Sequence, residues 1–283
     1  VPTGIGDFSW VYSKLASLEI PVTIEVCAGG PARLQPIAEL LPRIERMYTG
    51  NIGYGELAVK QLPAETTRAQ LMAWPAGAPI PLSCNTHLEN GNRVETWLPD
   101  IPTYHHYPVL VSQQDIDQAK ALVPFKDYVC IYASSKATCA TWTGWMGPQW
   151  VEFMNLFRDK IAPMSFVLIG AQWDVDLGVE VQQCAAVAQI PFVNLVNLTR
   201  LGTALKIIKN SHYMVSFPSG MGIMSHVIRQ PCTMFYPSPL VKMLRTFVSP
   251  ESAALNRFHE TIFCPPAELI QWLLDVYKIK EHL

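Results

Sequence analysis

Charge is scarce in this chain, and several familiar chemical signatures are missing from it. Only 16% of the 283 residues are charged, and the net charge is −2. That balance supplies no overall attraction to nucleic acid or to an anionic membrane, though a local basic patch is still allowed. No run approaches the ~18 uninterrupted apolar residues of a membrane-spanning helix, and no secretory leader is recognisable. The seven cysteines (Cys27, Cys84, Cys130, Cys139, Cys184, Cys232 and Cys264) are odd in number, scattered, and nowhere spaced as CxxC. Such a set fits a reducing, cytoplasmic compartment and argues against a zinc cluster. No GK[ST] turn occurs, so a Walker-type phosphate loop is excluded. HExxH and GxSxG are absent too, which removes the commonest zinc-protease and α/β-hydrolase readings. GIGDFS (4–9) lacks the third glycine of the dinucleotide fingerprint.

What remains is rich in core, with 49% apolar residues, and its length fits two domains of about 120–150 residues each. The second half is the more regular. YVCIY (128–132), SFVLI (165–169), FVNLV (192–196), YMVSF (213–217) and CTMFY (232–236) predict buried strands. Helical spacing lies between them, near 148–160, 177–189, 200–209 and 220–229. This alternation predicts right-handed βαβ units and a parallel sheet covered on both faces. In the first half, Phe8, Val11, Leu15 and Leu18 mark one face of a first helix; VTIEVC (22–27) predicts a strand and ARLQPIAELL (32–41) a helix. Residues 60–108 are Pro-rich, polar and irregular, as functional loop regions are. The domain boundary is expected near Leu122–Asp127. That gives an N-terminal domain at 1–125, a C-terminal domain at 126–265, and a last segment, 266–283, whose helix closes back over the first domain. The lead VPT, without a Met, suggests a first strand that is short, processed or absent.

Three turns at successive strand ends carry the chemistry. FPSGMGIMSH (217–226) runs from strand to helix through Ser219, Gly220, Met221 and Gly222. A helix N-terminus with exposed amides is a seat for phosphate, although the same residues make a tight, capped turn. ASSKATCATWTGWMGPQW (133–150) runs from another strand end to a helix start through Ser134, Ser135 and Lys136, and its 144–150 turn is a second helix N-terminus suited to phosphate. IGAQWDVD (169–176) ends a strand at Gly170 and is followed by Trp173 and Asp174, the latter suited to a ribose hydroxyl. Polar turns at the carboxyl ends of an open α/β sheet converge on one crevice, so together they predict a nucleotide site. His87, His105 and His106 fall in the irregular region and are candidates for an acceptor pocket; His226 reads as packed or as a ligand contact. Trp142, Trp145 and Trp150 read mainly as packing, with one of them a candidate to stack on a base. Gly4, Gly6 and Asp7 precede the first helix, where Asp7 is either an N-cap or a carboxylate aimed at a ligand.

These motifs resemble the heptosyltransferase-like glycosyltransferases. GIGD before an amphipathic helix resembles that family's small-residue–Ile-Gly-Asp opening. Trp145 and Trp150 resemble its Trp-Pro-x-x-x-Trp, and VNLTRLGTALKIIKNSHYMVSFPSG resembles its segment ending in Ser-Gly, with Pro231 before the next strand. The resemblance implies a GT-B fold: two Rossmann-like domains whose parallel sheets face across a cleft, with the donor nucleotide sugar in the second. It implies inverting transfer without a metal ion or other cofactor. It makes Asp7 the catalytic base, sets Ser134 and Ser135 near the donor phosphates and Asp174 near the nucleoside, and puts Ser219 and Gly220 under the diphosphate. Three positions depart from the family: Pro218 replaces an Asp, Ile223 a His, and Thr143 a Lys, for which Lys136 is a substitute.

The leading reading is therefore an inverting glycosyltransferase with a nucleotide-sugar donor and a hydroxyl acceptor, either an envelope saccharide or a hydroxylated base in DNA. For DNA, the first domain offers Arg33, Arg43, Arg46, Lys60, Arg68 and Arg93. Two alternatives stand beside it: a GT-B sugar epimerase, and a catalytically silent protein that binds a nucleotide sugar or glycan.

Overall fold

Runs of apolar residues that are β-branched or aromatic can bury both faces of a strand, and in the second half of this chain they build a parallel sheet. The computed structural model describes residues 5–17, 24–28, 31–42, 44–49, 100–104, 106–134, 144–217, 219–235, 256–259, 264–281 and 283. They fall into two compact units that part between Leu110 and Val111.

The second unit contains strands β3 (Tyr128–Tyr132), β4 (Ser165–Ile169), β5 (Phe192–Asn194), β6 (Tyr213–Ser216), β7 (Cys232–Phe235) and β8 (Asn256–His259). They form a six-stranded sheet in the order β5-β4-β3-β6-β7-β8, every pair parallel. Helices α3 (Gln113–Leu122), α4 (Gly147–Lys160), α5 (Val175–Val187), α6 (Leu201–Asn210), α7 (Gly220–Val227) and α8 (Pro266–Asp275) accompany them. The strands expected from sequence are thus present. β5 stops at Asn194, whose side-chain oxygen accepts from the Val196 amide at 3.1 Å and turns the chain. α5 and α7 end two residues early because Gln189 and Arg229 adopt φ of 55° and 55°, closing each helix with a left-handed residue.

The core is aromatic. Trp145 meets Trp150 edge-on with centroids 4.9 Å apart, and Phe153, Phe157, Phe166, Phe217 and Phe235 continue the cluster. The Trp145 indole N–H donates to the Cys264 carbonyl at 2.8 Å, so its one polar atom is satisfied where it is buried. Both tryptophans are packing residues. Helix α8 buries Leu269, Ile270 and Leu273 in this same cluster and lies against α4. Its apolar face is therefore covered within the second unit, whereas the sequence pattern was consistent with a helix returning over the first. Cys130 and Cys232 lie in β3 and β7, and burial pushes the Cys232 thiol up to about 12. Both are inert core residues. Among the described residues, no helix is long and apolar enough to cross a membrane.

Helix α3, β2 (Ile44–Thr49) and β8 are elements the sequence reading did not assign. α3 carried a usable signal in Ser112-Gln-Gln-Asp115, a capping-box spacing. The Ser112 hydroxyl donates to Asp115 at 2.6 Å and accepts from its amide at 3.1 Å. Asp115 also accepts from Thr203 of α6 at 2.8 Å. A Cβ on Gly202 would come within 2.5 Å of the Asp115 carboxylate, so only glycine admits this approach of α6. The joint places α3 in the second unit, ahead of the boundary expected near 122–127.

In the first unit, α1 (Ile5–Leu15) is followed by β1 (Ile24–Ala28), α2 (Pro31–Ala38) and β2, with β1 and β2 parallel. Residues 101–104 and 107 run along α1. The Tyr104 amide donates to the Ser13 carbonyl at 2.8 Å, Lys14 to the Ile101 carbonyl at 2.8 Å, and the Ser17 hydroxyl to the Pro102 carbonyl at 2.6 Å. These bonds satisfy polar groups that α1 buries, as burial requires.

Burial raises the Asp115 pKa, but the bonds from Ser112 and Thr203 and the charge of Arg200 outweigh it, so the carboxyl titrates below its ordinary value. A depressed carboxyl pKa stabilises the fold above the unfolded-state value, and that contribution is lost as pH falls through the folded one. Asp115→Ala is expected to cost about 1–3 kcal/mol at pH 7, read by denaturant unfolding. The deficit should shrink below the ordinary carboxylate range, where the parent protein also loses the contribution.

Candidate functional site

The strand order places the site. From β3 the chain moves outward through β4 and β5, then returns to the other side of β3 to form β6, β7 and β8. The direction reverses between β3 and β6, and open α/β sheets bind ligands at the carboxyl ends of the strands beside such a reversal. The turns singled out in sequence follow β3, β4 and β6. These are neighbours, for Tyr132 is in register with both Ile169 and Ser216.

After β6, Ser219 caps α7 by accepting from the Gly222 amide at 3.0 Å. The Ser216 and Ser219 hydroxyls are 3.0 Å apart, which fixes the turn to the strand end. The first amides of a helix have no intrahelical acceptor, and those of Gly220 and Met221 find none among the described residues, so they are the donors an anion here would meet. Gly222 has a different role. A Cβ there would lie 2.4 Å from the Met234 sulfur and 3.1 Å from the Ser216 hydroxyl, so this glycine lets α7 sit against the sheet.

The other two turns are tied together. Ser134, just past β3, donates its hydroxyl to one oxygen of Asp174, and the Ala171 amide donates to the other at 2.8 Å. Asp174 is only 3% exposed. A hydroxyl has one hydrogen, and Ser134 gives it to Asp174, so it has none left for a phosphate. Beside this buried carboxylate, Trp173 is 48% exposed. The start of α4, a second candidate phosphate seat, is occupied from within: the Gly147 amide donates to Glu180 at 3.0 Å. His226 is buried in α7, as is Ile223.

Asp7 is the third residue of α1, which begins at Ile5. It is therefore inside the first turn, and the N-cap reading does not hold. Gly6 is buried in that turn. The following residues pin the helix: the Ser9 and Tyr107 hydroxyls are 2.6 Å apart, and burial pushes the Tyr107 phenol above its ordinary value despite that bond. His106 lies in the segment beside α1, next to Tyr107. Ser135, Lys136, His87, His105, Thr143, Trp142 and Pro218 lie outside the described residues, as do Arg43, Lys60, Arg68 and Arg93; Arg33 lies on α2 and Arg46 on β2.

Neither a protein-family model nor a curated protein sequence matches the chain. Solved structures do. The E. coli ADP-heptose LPS heptosyltransferase II superposes with a TM-score of 0.65 at 15% identity, covering 99% of this chain and 98% of that one. The fold is that of the heptosyltransferases. A family 9 glycosyl transferase from Veillonella parvula gives 0.63 at 11% identity, covering 99% and 95% of the two chains. E. coli heptosyltransferase WaaC, solved with ADP, gives 0.55 at 12% identity over 99% and 97%. The resemblance read from GIGD, the tryptophan pair and the Ser-Gly turn thus extends to the fold of the whole chain.

Gly222→Ala tests the packing role assigned to that glycine. The added methyl should cost about 1–3 kcal/mol through overpacking, seen as a lower melting temperature in ligand-free protein. A ligand-contact role alone would leave ligand-free stability unchanged.

Proposed function

We propose that this protein is an inverting glycosyltransferase that takes its sugar from a nucleotide-sugar donor, with Asp7 as general base. One observation supports the reading above others: a serine-capped helix N-terminus stands at the reversal point of a parallel sheet, in a chain with the fold of three glycosyltransferases. Two of those structures carry ADP-heptose or ADP in their descriptions, which favours a sugar linked to a nucleoside diphosphate as the donor class. Heptose itself does not follow, because Pro218 and Ile223 stand where the resembling family has Asp and His.

In this scheme the α1 turn supplies the base, and the strand-end turns of the second unit hold the donor. The acceptor hydroxyl attacks the anomeric carbon while the bond from that carbon to the phosphate oxygen breaks, and the configuration inverts. The electron pair leaves on the nucleoside diphosphate and the proton passes to the Asp7 carboxylate. The α7 amides and helix dipole stabilise the charge that grows on the diphosphate, which is the task a metal ion would otherwise perform. The acceptor is a saccharide hydroxyl, and a hydroxymethylated DNA base is the second acceptor to assay. Cytoplasmic sugar nucleotides would supply the donor.

A thermal-shift panel of nucleotide sugars should give a stabilised complex, and transfer assays should then release nucleoside diphosphate. Asp7→Asn is expected to lower turnover by roughly 10²-fold or more with donor binding retained. Unchanged turnover would remove Asp7 as the base. Donor binding with no transfer to either acceptor class would mark a silent binding protein, and an isomerised sugar nucleotide would mark an epimerase.

A further inference from the structure

The turn after β4 was expected to hold the donor ribose through Asp174, yet its geometry is that of a brace. Asp174 is 3% exposed, with one oxygen on the Ser134 hydroxyl and the other on the Ala171 amide at 2.8 Å. Its remaining side is closed as well, since a Cβ on Gly170 would lie 2.9 Å from the second oxygen. Turning the carboxylate outward would break two charge-assisted bonds and strand the Ser134 hydroxyl and the Ala171 amide. Asp174 is thus a positioning residue that ties the end of β4 to the end of β3.

The neighbouring residue is built differently. Trp173 is 48% exposed, on a turn whose other end is anchored by the Asn197 amide donating to the Gly170 carbonyl at 3.0 Å. β3 lies between β4 and β6, so this turn stands about 10 Å along the sheet edge from the turn that starts α7, two strand spacings away. That separation is comparable to the reach from a diphosphate across a ribose to its base.

We propose that the nucleoside of the donor is held by stacking on Trp173, with no hydrogen bond from Asp174 to the ribose. The inference rests on the nucleotide-sugar reading given above. Every base has a π-face, so stacking tolerates a change of base. The site therefore takes nucleoside diphosphates as a class and reads neither the ribose hydroxyls nor the base edge through this turn.

Calorimetric titration of the intact protein with ADP, UDP, 2′-deoxy-ADP and 3′-deoxy-ADP tests this. Both deoxy forms should bind within about threefold of ADP, because no charged hydrogen bond is lost. Trp173→Ala should weaken every one by about tenfold, within the range of a lost base–aromatic stack, while Trp173→Phe keeps most of the affinity. Matching melting temperatures of the variants and the parent protein check the fold. A deoxy penalty beyond about threefold in the parent protein, or undiminished binding by Trp173→Ala, overturns the inference and leaves the glycosyltransferase reading standing. Failure of folded protein to bind any of the four nucleotides overturns both.

Discussion

Strand β3 is bonded along both edges, to β4 and to β6, and all five of its side chains are buried. A parallel strand enclosed in this way must be covered by helices on both faces. The aromatic cluster of α4 and α8 provides one of those covers, centred on Trp145, Trp150 and Phe153. Because the chain leaves β3 in one direction and resumes beside it in the other, the turns after β3, β4 and β6 are brought to one edge. The candidate site is a consequence of how this strand is buried.

At that edge the polar side chains serve the fold first. Ser134 and Asp174 brace two turns, Glu180 occupies the start of α4, and Ser219 caps α7. What remains beside them are the first amides of α7 and the half-exposed Trp173. Such a division suits a ligand with a diphosphate at one end and a flat base at the other, since a helix N-terminus attracts the first and an aromatic ring the second. In the first unit the same economy holds for α1. Ser9, Ser13, Lys14 and Ser17 are buried, and groups along that helix are bonded to Ile101, Pro102, Tyr104 and Tyr107. The helix that carries Asp7 is braced along its length by a segment far away in sequence.

Much of the second unit was legible from pattern. YVCIY and SFVLI are buried along their length because no polar residue interrupts them except at an end. β2, as IERMYT, and β8, as NRFH, mix charge and apolar residues without alternation, so no period marks them. α3 was hidden for a related reason: six of the ten residues of QQDIDQAKAL are polar, and its place is set by the Asp115 joint to α6. The site was legible as a set of turns. Its division of labour was not, since Ser134, Asp174 and Gly222 have the residue types of ligands and the contacts of braces.

The amino-acid sequence by itself determined the alternation of strand and helix, the buried strands at 128–132, 165–169 and 213–216, and the polar turns that follow them. Those features are local: a run of apolar residues, a period, a glycine after a strand. Only the tertiary structure decided the strand order, the enclosure of Asp174, the packing duty of Gly222 and the occupation of the α4 N-terminus by Glu180. The strand order joins β3 to β6 across 84 residues, and the other three depend on partners 12 to 40 residues away, as with Ser134 and Asp174 or Gly222 and Met234. A hydrogen bond or a close contact at that separation is created by the fold and leaves no periodic trace in the chain.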